Sequence, residues 1–162
     1  MGRPQRDFVL GRELRATILT TAAETDGRHD LVVAGTPPGG TTPLHLHTRY
    51  EERLWVISGS LTLWVAAEKV ILGPGDYYAI PMNTPHMIKT GPEGARALNI
   101  TSPAGFAELV ARTGTPAHRA GPETELDMEL FMTVTTELGD VVLGPPGTTP
   151  GEIEVREGHP EG

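Results

Sequence analysis

Short apolar runs separated by turn residues recur along most of this chain, and they leave little room for long helices. The runs fall at residues 14–21, 31–34, 44–47, 53–57, 61–66, 70–72, 77–80, 87–89 and 96–100. Asp26-Gly27-Arg28, Ser58-Gly59-Ser60, Gly73-Pro74-Gly75-Asp76, Pro81-Met82-Asn83-Thr84-Pro85 and Gly91-Pro92-Glu93-Gly94 stand between them. Many short strands at this spacing predict a sandwich or barrel, with residues 14–21 and 31–34 forming a hairpin. The 20 Gly and 15 Pro in 162 residues act in the same direction, and the length suits one domain with one core.

After Pro103 apolar residues recur at three- and four-residue spacing, which predicts two helices, at 104–112 and 123–138. Phe106, Leu109 and Val110 form the stripe of the first; Leu126, Leu130, Phe131 and Val134 form that of the second. Gly114 and Gly139 are expected at their ends. Residues 141–143 suit an edge strand. The Pro-, Gly- and acid-rich stretch 144–162 is expected to be a disordered tail, which leaves 1–143 as the single domain.

Charge and cysteine content narrow the function. Twenty-one acidic against 13 basic residues give a formal charge of -8, a field that repels phosphate backbones and anionic lipid. Neither nucleic acid nor a membrane is an expected partner. No window approaches the roughly 18 apolar residues of a membrane span, and residues 1–10 lack a secretory apolar stretch, so the expected location is cytoplasmic. With no Cys, any bound metal must be held by His and carboxylate.

Those residue types gather between Gly39 and Gly59. His45 and His47 lie two apart, so on a strand both imidazoles leave one face, while Leu44 and Leu46 leave the other. The next strand offers Glu51 and Glu52. Alternation puts Glu52 with Leu54 and Val56, and Glu51 with Arg53, so Glu52 is the carboxylate expected inside. An ionised carboxylate on an apolar face is costly unless a cation compensates it. His86, after the turn at 81–85, can supply a fourth ligand. Leu54, Val56, Leu63 and Ile88 follow the parity of Glu52 or His86 and are expected to line the pocket. Trp55, Trp64, Tyr77 and Tyr78 are expected as packing residues, and His29, His118 and His159 as solvated ones.

These residues resemble the two motifs of the cupin superfamily. The first reads Gly39, five residues, His45, Leu46, His47, four residues, Glu52, six residues, Gly59. The second reads Gly75, five residues, Pro81, Met82, Asn83, two residues, His86, three residues, Thr90. Asn83 stands where the family has glycine, a mild change because Asn tolerates the left-handed conformation, and Thr90 stands where it has asparagine. The resemblance covers 31–102 and implies an all-β fold: a jelly-roll β-barrel with the metal inside, here followed by the two C-terminal helices. A weaker likeness, through Pro103-Ala104-Gly105-Phe106 and Val142-Leu143-Gly144-Pro145-Pro146-Gly147, is to bacterial monocupins described as quercetin 2,3-dioxygenase-like.

His45, His47, Glu52 and His86 are thus the expected ligands of one divalent transition metal ion. Three imidazoles and a carboxylate suit Fe, Mn, Ni, Co, Cu or Zn rather than Ca or Mg, and leave one or two positions open. The implied activity is a dioxygenase that joins O2 to a flavonol-like or other enolisable small molecule, with Glu52 as base as well as ligand. A non-redox cyclase or isomerase of a polyketide-like substrate and a non-catalytic small-molecule-binding module are the alternatives. A homodimer is the expected assembly, with residues 14–21 as the free strand edge.

Overall fold

A computed structural model describes residues 6–157. The strands are β1 (Asp7–Leu10), β2 (Leu14–Thr20), β3 (Asp30–Thr36), β4 (Leu44–His47), β5 (Glu51–Val65), β6 (Glu68–Leu72), β7 (Tyr77–Ile80), β8 (His86–Ser102), β9 (Thr115–Pro116) and β10 (Asp140–Gly144). The helices are α1 (Phe106–Thr113), α2 (Met128–Glu137) and α3 (Pro150–Glu157). Among the described residues all strand pairs are antiparallel, and the path runs β10-β4-β8-β3-β2-β1-β9 while β5 pairs with β6, β7 and β8. β8 serves both halves and folds the sheet back on itself as a jelly-roll barrel.

Two long strands replace four expected short ones. The expected runs at 53–57 and 61–66 fuse into β5, and those at 87–89 and 96–100 fuse into β8, because their breaks lie opposite each other. The pair runs from Glu51↔Ser102 to Val65↔His86, with register shifts at Val56/Ser58 and Gly59/Leu61. A shared bend takes the place of two turns. It depends on Gly59, whose φ is +72°; a Cβ there would lie 2.0 Å from the Gly94 carbonyl oxygen. The shift also exchanges the inward parity: Glu52, Leu54 and Val56 face in before it, and Leu61, Leu63 and Val65 after it.

The hairpin forms as expected, with β2 paired to β3 around Arg15↔Gly35 and Thr17↔Val33. β2 is also paired on its other side with β1, at Phe8↔Ala16 and its neighbours. It therefore has no free edge, and the expectation that residues 14–21 add to a partner's sheet does not hold. Asn83 has φ +57°, in the left-handed region that its position in the second motif demands.

α1 begins two residues later than expected, at Phe106, and buries Ala107, Leu109 and Val110. α2 begins five residues late because Asp127 caps it, its side chain accepting from the Leu130 backbone N–H at 3.0 Å. Gly139, with φ +84°, ends it as expected. α3 lies in the stretch expected to be a disordered tail. Thr149 donates its backbone N–H and its hydroxyl to Glu152 at 2.6 and 3.1 Å, a capping arrangement that the T-x-x-E spacing encodes. Residues 158–162 of that stretch lie outside the described residues.

Two apolar clusters hold the barrel. One gathers Leu54, Val56, Leu61, Leu63, Val65, Leu72 and Ile80 within the β5, β6 and β7 half. The other joins Phe8, Ala16, Ile18 and Val32 to Ala107 and Val110 of α1, with Leu126 and Phe131 packed against it. A cavity of about 370 Å3 takes its lining from residues of both.

Candidate metal centre

β4, β5 and β8 bring His45, His47, Glu52 and His86 together, each offering one ligand atom within 4.8 Å of the others. The cross-strand pair His45↔His86 sets two of them side by side, and ring centroids 4.3 Å apart follow from it. Glu52 is buried, whereas Glu51 lies on the outer face and pairs with Arg53, the division that strand alternation predicts. His29 is half-buried, His118 is exposed, and neither joins the cluster; His159 lies outside the described residues.

Each imidazole is oriented through Nδ1. His45 Nδ1 bonds the Pro43 carbonyl at 2.8 Å and His86 Nδ1 the Thr84 carbonyl at 2.9 Å. His47 Nδ1 instead bonds the Asp140 carboxylate at 2.6 Å. In each ring Nε2 is left for the cluster. His47 Nε2 lies 2.9 Å from Glu52 Oε2, and His86 Nε2 lies 3.3 Å from the same oxygen yet makes no hydrogen bond. A fully buried imidazole nitrogen without a partner is costly in a closed protein, and a metal ion supplies what it lacks. Bonds of about 2.0–2.2 Å place the donors around one ion about 3–4 Å apart, which this cluster can meet with small shifts. The donor set of three imidazoles and one carboxylate therefore suits a transition metal ion.

Electrostatics follow from the same contacts. Burial opposes charge on His47, but hydrogen bonds to Asp140 and Glu52, with the charges of both, outweigh it and raise its pKa to about 9. At His45 burial, then the neighbouring His86, outweighs the charge of Glu52 and lowers the pKa to about 4. Burial would raise the pKa of Glu52, yet the hydrogen bond from His47 and the nearby His86 hold it well below the usual carboxylate range. Burial, then the Asp140 charge, pushes the Tyr50 phenol upward, which keeps it a hydrogen-bond donor.

Sequence reasoning missed three residues of this shell. Asp140 accepts from His47 and, at 2.7 Å on the same oxygen, from the Tyr50 hydroxyl. Tyr50 stacks on His47 with ring centroids 4.4 Å apart. Asn99 donates Nδ2 to Glu52 Oε1 at 2.6 Å, and its own Oδ1 is buried without a partner. A signal for Asn99 was present, since it alternates with Ala97 and Thr101 on the inward parity of β8.

His45, His47 and Glu52 line the cavity. Leu54 and Ile88 line it as expected; Val56 and Leu63 also face inward but pack within the apolar cluster of the β5, β6 and β7 half instead of on the cavity wall. Leu10, Leu14, Phe106, Leu109, Leu126 and Phe131 contribute an apolar wall that comes from outside the β4–β8 core. Among the described residues no Lys or Arg lines the cavity. Trp55 and Tyr77 are about half exposed and face away from it, as a cross-strand pair on the outer surface rather than as packing.

Residues 32–101 match the family described as "Cupin domain". A curated relative, quercetin 2,3-dioxygenase of Bacillus subtilis (strain 168), is 29% identical over 113 residues, which are 70% of this chain and 33% of that protein. The chain thus spans about a third of the length of that relative. Among solved structures, the polyketide cyclase RemF from Streptomyces resistomycificus superposes with a TM-score of 0.52 at 26% identity, over 63% of this chain and 79% of that one. Ectoine synthase from P. lautus superposes with a TM-score of 0.55 over 88% of this chain and 84% of that one, at 16% identity, a likeness of fold alone. No helix among the described residues is long and apolar enough to cross a membrane.

Proposed function

We propose, from the premise that this chain belongs to the cupin superfamily, that it is a metal-dependent enzyme, a dioxygenase of flavonol-like or other enolisable aromatic molecules. The observation that carries this is the cavity: a largely apolar chamber free of Lys and Arg among the described residues, with His45, His47 and Glu52 in its wall. Such a lining favours an uncharged, largely apolar molecule and gives nothing to balance a carboxylate or phosphate. Its volume of about 370 Å3 falls in the range of small-ligand sites, roughly 300–1,000 Å3.

His45, His47 and His86 would hold the ion through Nε2 and Glu52 through its carboxylate. Bound there, a divalent transition metal supplies a Lewis-acid centre for an enol or phenol oxygen and, where it is redox-active, a route for O2. Glu52 is ionised and takes the hydroxyl proton; Oε1, with Asn99 as its one hydrogen-bond partner, has a lone pair free for it. Phe106, Leu126 and Phe131 would pack against the body of the substrate and exclude water, while Thr36, Thr42 and Thr90 add hydroxyl groups to the lining.

The likeness to RemF favours a second reading, non-redox cyclisation or isomerisation of a polyketide-like molecule with Glu52 as the proton carrier. Metal analysis followed by oxygen uptake with a flavonol panel separates the two. Stoichiometric Fe, Mn, Co, Ni or Cu with substrate-dependent O2 consumption supports the dioxygenase. Turnover without O2, or Zn alone, selects the second reading, and tight ligand binding without turnover selects a binding module. A homodimer is the assembly proposed with either enzyme, and a sizing column reads it directly.

A further inference from the structure

We infer that Asp140, brought in by β10 from beyond the cupin core, is a positioning residue that fixes the His47 Nδ1–H and so presents His47 Nε2 to the cluster. The inference rests on the metal-site proposal above for its consequence, but not for its geometry. Asp140 lies directly opposite His47 in the β10–β4 pair, and its carboxylate is 7% exposed. The 2.6 Å contact to Nδ1 is the shorter arm of a buried chain that continues at 2.7 Å to the Tyr50 hydroxyl, whose ring covers the His47 ring.

The surrounding backbone holds this arrangement. The Gly139 carbonyl accepts from the Thr48 backbone N–H at 3.1 Å and from the Thr48 hydroxyl at 2.6 Å. Arg49 donates to the Glu137 carbonyl at 2.7 Å. A Cβ at Gly139 would lie 2.6 Å from Thr48 Oγ1, so the approach of the two segments requires glycine there. The end of α2 and the start of β10 are thereby tied to the segment that follows His47.

The consequence separates His47 from the other two histidines. His45 and His86 are each oriented by a neutral carbonyl two residues upstream, a contact local to the core. Of the three, His47 is the one whose Nδ1 meets a carboxylate, 93 residues away in sequence. A carboxylate behind an imidazole settles which nitrogen keeps the hydrogen and raises the basicity of the other. Asp140 gives the cluster one strong, rigidly aimed ligand, and it does so through its contact with His47 Nδ1.

The test compares native protein with Asp140→Ala and Asp140→Asn at pH 9. One readout is 15N–1H NMR of the imidazoles in metal-free and Zn-loaded protein. The other is affinity for Zn(II) and Co(II) by chelator competition, with the Co(II) absorption spectrum. The His47 Nδ1–H signal should be protected from exchange in native protein, lost in Asp140→Ala and kept in Asp140→Asn. Metal affinity should fall about 10- to 100-fold in the alanine variant and less in the asparagine variant, the usual effect of removing an outer-shell partner. Affinity within about twofold of native for Asp140→Ala, with His47 unchanged, overturns the inference. Should the alanine variant not fold, Asp140→Asn decides: a shifted His47 signal with weakened affinity supports it, and native values for both overturn it. If native protein binds no metal, the proposed function fails, while the metal-free NMR comparison still decides the role of Asp140.

Discussion

Metal capture by this cluster should be governed by one proton, that on His47 Nε2. With a pKa raised to about 9, His47 is an imidazolium at neutral pH, lying between Asp140 and Glu52. Nε2 cannot bind an ion until it loses its hydrogen. At pH 7 that competition lowers the apparent affinity by two pH units' worth, about 100-fold or roughly 3 kcal/mol. His45 and Glu52 are already in their ligating forms, because their pKa values are low, about 4 for His45 and well below the usual range for Glu52. Apparent affinity should therefore rise about tenfold per pH unit from pH 7 to about 9 and then level off. Chelator competition with Zn(II) gives the profile, and calorimetry in buffers of different ionisation heat counts the proton, close to one released per ion at pH 7.5. An ordinary histidine would be nearly neutral by then and release far less. An affinity that is flat above pH 7, with no proton released, would refute the reasoning. Asp140→Asn should move the levelling point to lower pH, since one of the two carboxylates that stabilise the imidazolium is gone.

The same groups predict a stability optimum for the metal-free protein near pH 6.5. The raised pKa of His47 contributes stability that is complete below about pH 6.5 and is lost as pH climbs through about 9, on the order of 3 kcal/mol. The lowered pKa of His45 acts on the other side, since protons favour the unfolded chain and stability falls as pH drops from about 6.5 toward 4. Urea titrations across pH 4–9 should show the dome; a steady rise would contradict the His47 assignment and a steady fall the His45 assignment. His86→Ala should lower metal content and activity together, and full retention of both would remove His86 from the ligand set. Leu63→Ala should cost about 2–5 kcal/mol of stability with metal content unchanged, because Leu63 packs in the core rather than the cavity wall. Denaturation midpoints and metal analysis on one preparation check this, and loss of metal with native stability would place Leu63 at the site instead.

How much of this site was legible in the sequence depended on how far each contact reaches along the chain. His45 and His47 lie two apart on one strand, and Glu52 opens the next, so a period of two places all three. The same alternation that turned Glu52 inward turns Trp55 outward beside Arg53, and expecting Trp55 as packing set propensity above parity. Val56 and Leu63 do face inward as parity requires, but parity gives the face and not the neighbour, and both are buried against the packed apolar cluster instead of the cavity. α3 was missed although Thr149 and Glu152 carry its cap. Asp140 left no local trace, since only the pairing of β10 with β4 brings it to His47.

That difference in reach divides the labour of the fold. The core from β4 to β8 sets the four ligand side chains by strand register and orients two of the imidazoles through carbonyls two residues away. The flanks supply the rest: β1, β2, α1 and α2 furnish the apolar wall of the cavity, and the start of β10 furnishes the anion behind His47. The ligand set alone therefore says little about substrate. Phe106, Leu126, Phe131 and Asp140 line the cavity and are side chains that the motif spacing never reaches. Because α2 ends at Glu137 and Asp140 follows three residues later, the helix that carries Phe131 in the cavity wall leads directly to the residue that aims His47. A displacement of α2 by a bound molecule would thus be passed toward His47 through a three-residue connection tied down at Gly139 by Thr48.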